Sequence, residues 1–318
     1  MAAARWDHSR RMWQGASFTW DLWYGCDYHC PYCWFEMDPV WDLLAKEHEG
    51  IPIERWLQSW QRIHDRHGVA SIDVVGGEPL RYPGVLDLLG GLAQWHRLEV
   101  VTNLSVPLES LEDLTARISP ERMHISGSFH HESADWEDFL RKIVFLKSKG
   151  YEPEVAMVAW PPHLGLIQEK KTILGRMHIP ASILVFQGVF QGRDYPRSYT
   201  DAEREQLGGL VPPREREYRM HERRTLARPC GAGHIHAHVR ANGDVLRCGK
   251  DSQYSRRMGN LLEADFALHS SPQPCPYPYC NACGEHVYLW EDWTKKAAST
   301  GGPLVEDSGS RHAAALSD

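Results

Sequence analysis

The stretch ASFTWDLWYGCDYHCPYCWF, residues 16–35, joins two features that together indicate the fold. Its first half is rich in aromatic and other apolar residues, which is typical of a buried strand. Its second half places Cys26, Cys30 and Cys33 in a short loop directly after that strand. Four thiolates would complete a tetrahedral zinc site or cap every iron of a four-iron cluster, so three leave one metal position open. An open position predicts a chemical role for the loop.

Five further apolar stretches follow the first strand, at residues 71–77, 98–105, 122–130, 153–160 and 181–190. Segments with helical spacing separate most of them, such as 136–150, where apolar residues recur three and four positions apart. Buried strands linked by helices are parallel, with right-handed crossovers. We therefore expect an α/β fold, either an open doubly wound sheet or a full or partial barrel.

Polar or glycine-rich residues follow the first four predicted strands. The cysteine loop follows the first, Gly76-Gly77-Glu78-Pro79 the second, Thr102-Asn103 the third, and the segment 126–131 the fourth. Each motif alone is typical of an ordinary turn or strand end. Because ligands bind at the carboxyl ends of parallel strands, their ordered appearance predicts that they face one cavity.

Composition and charge narrow the class of protein. The chain has 318 residues, 42% hydrophobic and 24% charged, with a net charge of −7. This balance gives no general attraction to nucleic acid or to an anionic membrane, and no apolar run is long enough to span one. Arg10 and Arg11 resemble the start of an export signal, but no apolar run follows them. We therefore expect a cytoplasmic protein with neither kind of partner.

The eight cysteines fall into two groups, Cys26 to Cys33 and Cys230 to Cys283, with none between them. This clustering is unusual for a disulfide scaffold and natural for two metal sites in a reducing compartment.

The cysteine spacing, with Tyr32 before the last cysteine and Gly-Gly-Glu-Pro after the next strand, resembles the radical S-adenosylmethionine (SAM) superfamily over residues 16–195. The resemblance implies a partial (β/α)6 TIM-like barrel. It also implies that the three thiolates hold a [4Fe-4S] cluster whose fourth iron is chelated by SAM. Such an enzyme cleaves SAM reductively to a 5′-deoxyadenosyl radical, which takes a hydrogen atom from the substrate, and it needs an electron donor such as flavodoxin or ferredoxin.

The same resemblance assigns contacts to SAM. Gly76 and Gly77 would let the backbone approach the methionyl amine, and Glu78 and Pro79 would shape that edge. Tyr32 would lie near the adenine. Asn103, with Ser126 or Ser128, would reach the ribose or the carboxylate. No catalytic residue beyond these contacts is assigned.

The carboxyl-terminal third contains a predicted hairpin that would bring Cys230 close to Cys248, with its turn at Asn242-Gly243. With the later cysteines it resembles the twitch and SPASM extensions of radical SAM enzymes, which implies one auxiliary iron-sulfur cluster, assigned as [4Fe-4S]. The favoured ligands are Cys230, Cys248, Cys280 and Cys283, with Cys275 as the substitute ligand or a free thiol. A structural zinc would accept the same thiolates.

The alternation of His234, His236 and His238 places them on one strand face, which suits either metal binding or a half-exposed strand. His130 and His131 follow the fourth strand, where one of them could line the cavity.

These expectations divide the chain into an amino-terminal extension (1–15), a barrel (16–195), a linker (196–228), an auxiliary cluster domain (229–294) and a flexible tail (295–318). Only 25 residues precede Cys26, which favours a small-molecule biosynthetic intermediate over a peptide, and a redox-coupled reaction such as dehydrogenation. The alternatives are a peptide- or protein-modifying maturase or an epimerase. From a different class, a non-catalytic interaction protein stapled by zinc also fits the cysteines.

Overall fold

The computed structural model describes residues 15–33, 35, 50–208, 223–249, 251 and 256–280. Strands and helices alternate through the first part of the chain as the sequence predicts. These elements are β1 Ser17–Trp23, α1 Ile53–His67, β2 Ser71–Gly76, α2 Val85–Leu92, β3 Arg97–Thr102, α3 Leu108–Arg117, β4 Met123–Phe129, α4 Trp136–Ser148, β5 Glu154–Val158, α5 Leu164–Arg176 and β6 Ala181–Leu184.

Shorter elements follow the sixth strand. They are β7 Gly188–Phe190, β8 Arg193–Tyr195, α6 Asp201–Gln206, β9 Arg223–Arg224, β10 Pro229–Cys230, β11 His236–Val239, β12 Asp244–Leu246, β13 Gly259–Asn260, β14 Gln273–Pro274 and β15 Tyr279–Cys280. None of the described helices combines the length and the apolar character needed to cross a membrane.

The strands β1 to β6 form one parallel sheet in chain order. In the described part of the chain β1 and β6 do not pair with each other, so the sheet does not close. This is the partial (β/α)6 barrel that the family resemblance implies, and the α/β fold class is confirmed.

The two faces of the sheet differ in what they contact. On β1, Phe18 and Trp20 have no solvent exposure and pack against Trp60 and Trp56 of α1, with ring centroids 5.2 Å and 4.8 Å apart. Since side chains alternate along a strand, Asp21 then faces the barrel interior. Burying each aromatic side chain contributes roughly 1.5–3 kcal/mol to folding. The outer face therefore holds the helices, and the inner face is left for the site.

Strand β4 has the same arrangement. A side chain at Gly127 would meet Ile143 and Phe139 of α4 at 2.9 and 3.0 Å, so this position faces outward. Ser126 and Ser128, on either side of it, therefore face the barrel interior.

The predicted strand 181–190 is wrong in its second half. β6 ends at Leu184, and the chain then forms a separate antiparallel hairpin from β7 and β8. Residues 185–187 belong to no strand, and Gly188, which begins β7, adopts a φ of +144° that favours glycine.

The predicted carboxyl-terminal hairpin is present as β11 and β12. Its turn is longer than the expected two residues, because Arg240 N still donates to Asp244 O at 2.9 Å and three residues lie between them. Gly243 takes the left-handed conformation, with φ +85°, that such a three-residue turn requires. β11 also pairs in parallel with β1, so this hairpin and β13 extend the barrel sheet to nine strands.

The predicted domain boundaries stay predictions. The amino-terminal extension, except for Gly15, and the flexible tail lie outside the described residues, as does much of the linker.

Candidate active site

The cysteine loop leaves the carboxyl end of β1, as the sequence predicts. Cys30 is buried, Cys33 is half-buried and Cys26 is exposed, and all three are free thiols. The loop is tightened by Cys33 N, which donates to Cys30 O at 2.9 Å. Burial raises the pKa of Cys30 to about 11, so this thiol ionises at neutral pH only when a metal supplies compensating positive charge. The donor set fits an iron-sulfur cluster with one iron left without a protein ligand.

Gly76 and Gly77 pack directly against the start of this loop. Gly77 N donates to Trp23 O at 2.9 Å, and Glu78 N donates to Gly25 O at 2.8 Å. A Cβ atom at Gly77 would lie 2.1 Å from Gly25 O, which no side chain can occupy. The glycines are therefore required by backbone contact between the end of β2 and the cysteine loop.

Glu78 is fully buried and joins the ends of β2 and β3. Its carboxylate accepts hydrogen bonds from Thr102 Oγ1 at 2.6 Å, Asn103 N at 2.6 Å and Leu80 N at 2.9 Å. Burial raises its pKa to about 7, although the three hydrogen bonds favour the charged form. Pro79 begins the short 3-10 helix that follows, Pro79–Arg81. Glu78 thus fixes the ends of β2 and β3 relative to each other, and its predicted place beside SAM stays a prediction.

Asn103 reaches the cysteine loop from β3. Its Nδ2 lies 3.8 Å from Cys26 Sγ and donates to Asp27 Oδ1 at 3.3 Å. Asp27 also accepts from Ser105 Oγ at 3.0 Å and faces Arg81 at 3.5 Å. Sequence reasoning did not single out Asp27, and its position beside Cys26 was the only signal for it.

Tyr32 forms part of an aromatic wall. Its hydroxyl lies 3.1 Å from His130 Nδ1, the two rings stack with centroids 5.9 Å apart, and Trp160 lies 5.2 Å from the Tyr32 ring. Burial lowers the pKa of His130 to about 4, so its imidazole is neutral at pH 7. His130 and Trp160 therefore both pack against Tyr32 of the cysteine loop, and the sequence analysis did not single out Trp160.

The two candidate serines of β4 differ in their surroundings. Ser126 is buried and its Oγ contacts Glu154 Oε1 at 3.3 Å. Ser128 is half-buried and lies two residues nearer the carboxyl end of the strand. Ser128 is therefore better placed to face a ligand held above the strand ends.

Three carboxyl-terminal cysteines share one small buried cluster. Cys230, Cys248 and Cys275 pack there with Ala232 and Tyr277. The antiparallel pairing of β10 with β14 sets Cys230 opposite Gln273, two residues before Cys275. Of the two cysteines favoured from the sequence over Cys275, Cys280 lies on the backbone of β15, while the placement of its side chain and all of Cys283 lie outside the described residues.

The alternating histidines each contact a different partner. His234 Nδ1 lies 2.7 Å from His269 O, His236 Nδ1 lies 3.0 Å from Ser17 Oγ, and His238 Nε2 lies 2.8 Å from Asp21 Oδ2. Burial lowers the pKa of His238, but the charge and hydrogen bond of Asp21 outweigh it and leave the pKa raised. These contacts favour the interpretation of a structural strand over that of a metal-binding stripe.

Comparison with solved structures supports the fold. Native anSMEcpe with bound AdoMet (SAM) is similar to this chain at 13% identity and a TM-score of 0.55, covering 78% of each chain. Native anSMEcpe with bound AdoMet and the Cp18Cys peptide is similar at 12% identity and a TM-score of 0.53, again over 78% of each chain. No family model and no curated relative matches the sequence. The comparison therefore bears on the fold of the barrel.

Proposed function

We propose that this protein is a radical SAM enzyme. The observation that carries the proposal is the Cys26–Cys33 loop at the carboxyl end of β1, held by the ends of β2 and β3 in a barrel similar to AdoMet-bound structures. When bound there, a reduced [4Fe-4S] cluster supplies the electron that splits SAM into methionine and a 5′-deoxyadenosyl radical.

The surrounding residues hold that site in place. Asn103 and Asp27 fix the start of the cysteine loop, and Glu78 fixes Asn103. We assign Gly76, Gly77 and Pro79 to the methionyl edge, Tyr32 to the adenine side, and Asn103 with Ser128 to the ribose or carboxylate of SAM. The aromatic wall at Tyr32 and Trp160 limits the access of water to the reacting centre.

The auxiliary site is best assigned to Cys230, Cys248 and Cys275, with Cys280 or Cys283 as a fourth ligand. The sequence favoured four other cysteines and left Cys275 as a substitute ligand or a free thiol. The buried cluster that Cys275 shares with Cys230 and Cys248 supports it as a ligand. We propose that this site holds an iron-sulfur cluster. Measuring the iron, acid-labile sulfide and zinc contents of the protein distinguishes such a cluster from a structural zinc ion.

For the substrate we propose a small polar metabolite. The inner face of the barrel carries many polar side chains, among them Asp21, Glu99, Ser126 and His238, which suits a polar ligand better than an apolar one. We propose dehydrogenation of this substrate as the reaction. We also propose that the protein works in the cytoplasm and that a flavodoxin or ferredoxin is its electron donor. A peptide is the second candidate, because one similar structure contains a bound peptide.

The test is anaerobic reconstitution with iron and sulfide, followed by dithionite and SAM, with 5′-deoxyadenosine measured by chromatography. The parent should produce it, and a variant with Cys26, Cys30 and Cys33 replaced by alanine should not. A variant with Cys230, Cys248 and Cys275 replaced by alanine is the matched control and should still cleave SAM. An amino-terminal site filled with zinc, with no SAM cleavage, would support the non-catalytic interaction protein instead.

A further inference from the structure

Three potential metal-binding side chains converge inside the barrel, away from the cysteines. Glu99 of β3, His124 of β4 and Glu154 of β5 each offer one ligand atom, and these atoms all lie within 4.8 Å of one another. We propose that these residues form a binding site for one divalent cation. The proposal goes beyond the radical SAM function and does not depend on it.

The convergence follows from the register of the sheet. Glu99 pairs directly with His124, and Glu154 pairs with Ser126 on the next strand. Leu98 and Val155, each adjacent to one of the carboxylates in sequence, are fully buried, and Gly127 faces α4. Since neighbours along a strand point to opposite faces, all three candidate ligands point into the barrel from rigid strands.

The spacing and ligand types suit a single ion. Bonds from a metal to nitrogen or oxygen are about 2.0–2.4 Å long, so ligand atoms on one ion lie roughly 3–4.8 Å apart. Carboxylates with an imidazole suit Mn²⁺, Fe²⁺ or Zn²⁺. The absence of a thiolate from this set distinguishes it from both cysteine sites.

The charges also favour a cation. Two carboxylates close together inside a barrel repel each other, and Asp73, which pairs with Glu99 on the adjacent strand, adds a third acidic group to the same face. His124 is only 4% exposed. A divalent ion would balance the two ligand carboxylates. Arg97, which lies two residues before Glu99 on the same face, and a protonated His124 are the competing sources of positive charge.

The site is separate from the proposed SAM site. Glu99 precedes Asn103 by four residues, which corresponds to about 13 Å along a strand. A cation at Glu99 would therefore lie deeper in the barrel than the cysteine loop, where it could contact a ligand that enters the cavity.

The test is a titration of the reconstituted holoenzyme with Mn²⁺, followed by electron paramagnetic resonance of the free ion. Mn²⁺ is chosen because it prefers oxygen and nitrogen ligands to thiolates. We expect one saturable site in the parent and at least tenfold weaker binding in Glu99→Gln and Glu154→Gln. Glu112→Gln, which removes an exposed carboxylate from α3, is the matched control and should bind as the parent does.

A second measurement uses the parent protein alone and so does not depend on whether any variant folds. Electron spin echo modulation of the bound Mn²⁺ should show coupling to an imidazole ¹⁴N, since His124 is a proposed ligand. A parent without a saturable site would overturn the proposal. Saturable binding without nitrogen coupling, or binding that Glu99→Gln and Glu154→Gln leave unchanged, would equally overturn it.

Discussion

Replacement of Glu78 by glutamine tests the most heavily buried acidic group of the site. Its carboxylate accepts three hydrogen bonds, with Thr102 Oγ1 and Leu80 N on one oxygen and Asn103 N on the other. A glutamine side chain has one acceptor oxygen and one NH₂ group. If the oxygen accepts from Thr102 and Leu80, the NH₂ group faces Asn103 N–H, and two donors then meet. An unsatisfied buried donor costs about 1–3 kcal/mol. We expect a less stable protein with a loosened contact between Asn103 and the cysteine loop.

The pH dependence of this effect is a sharper test. The pKa of Glu78 in the folded state is about 7, above the unfolded value of about 4.3. The folded state therefore binds the proton more tightly, so this group contributes most stability below the unfolded pKa and loses that contribution as pH rises through 7. Between pH 6 and pH 8 the loss is about 1.3 kcal/mol.

The assay compares the melting temperatures of the reconstituted parent and of Glu78→Gln at pH 6 and pH 8. Groups that both proteins share, such as His130, cancel in the difference. We expect the destabilisation of the variant relative to the parent to be smaller at pH 8 than at pH 6 by about 1.3 kcal/mol, or about 2–4 °C. A difference that does not change with pH would show that Glu78 does not titrate in this range, and the reasoning would be wrong.

Three further changes test the packing and the two cysteine sites. Gly77→Ala should lower the iron content of the amino-terminal site at least severalfold, because its Cβ would meet Gly25 O. Gly90→Ala, at a position with open space around it, should reconstitute like the parent. Equal iron content in the two variants would contradict the steric argument. Cys275→Ser should reduce metal at the auxiliary site alone, as measured by iron analysis and Mössbauer spectroscopy, and an unchanged content would exclude Cys275 as a ligand. Trp60→Ala should cost about 3–5 kcal/mol in urea unfolding, and a loss below about 1 kcal/mol would contradict its place in the core.

The strand and helix pattern was predictable because it is local. Phe18, Trp20 and Leu22 alternate with polar residues, and this alternation predicts which face of β1 is packed against the helices. Trp56 and Trp60 of α1 contact that face. The strand ends that carry the site follow directly from that pattern. The end of β6 was wrong because the apolar run 181–190 does not show that the chain leaves the sheet after Leu184 and then forms the β7–β8 hairpin.

The missed parts of the site depend on contacts between residues far apart in the sequence. Asp27 gains its role from Asn103 and Ser105, more than seventy residues later, and the Tyr32 hydroxyl meets His130 at a separation of 98 residues. Neither contact leaves a periodic signal. Spacing alone likewise could not choose among five carboxyl-terminal cysteines, whereas the structure places Cys275 in one buried cluster with Cys230 and Cys248.

The position of β11 changes how the two cysteine sites are related. The sequence predicts an auxiliary domain joined to the barrel by a linker, but β11 pairs with β1, and β12 leads from that strand towards Cys248. His238 of β11 contacts Asp21 of β1, five residues before Cys26, and pairs with Leu246, two residues before Cys248. Both cysteine sites are thus attached to one sheet, in which β11 lies between β1 and β12. Because β11 is parallel to β1 and β12 is antiparallel to β11, Cys248 lies towards the amino end of β1, whereas the Cys26–Cys33 loop leaves the carboxyl end of that strand. The hydrogen-bonded ladder between β1 and β11 therefore holds the two cysteine sites at opposite ends of β1.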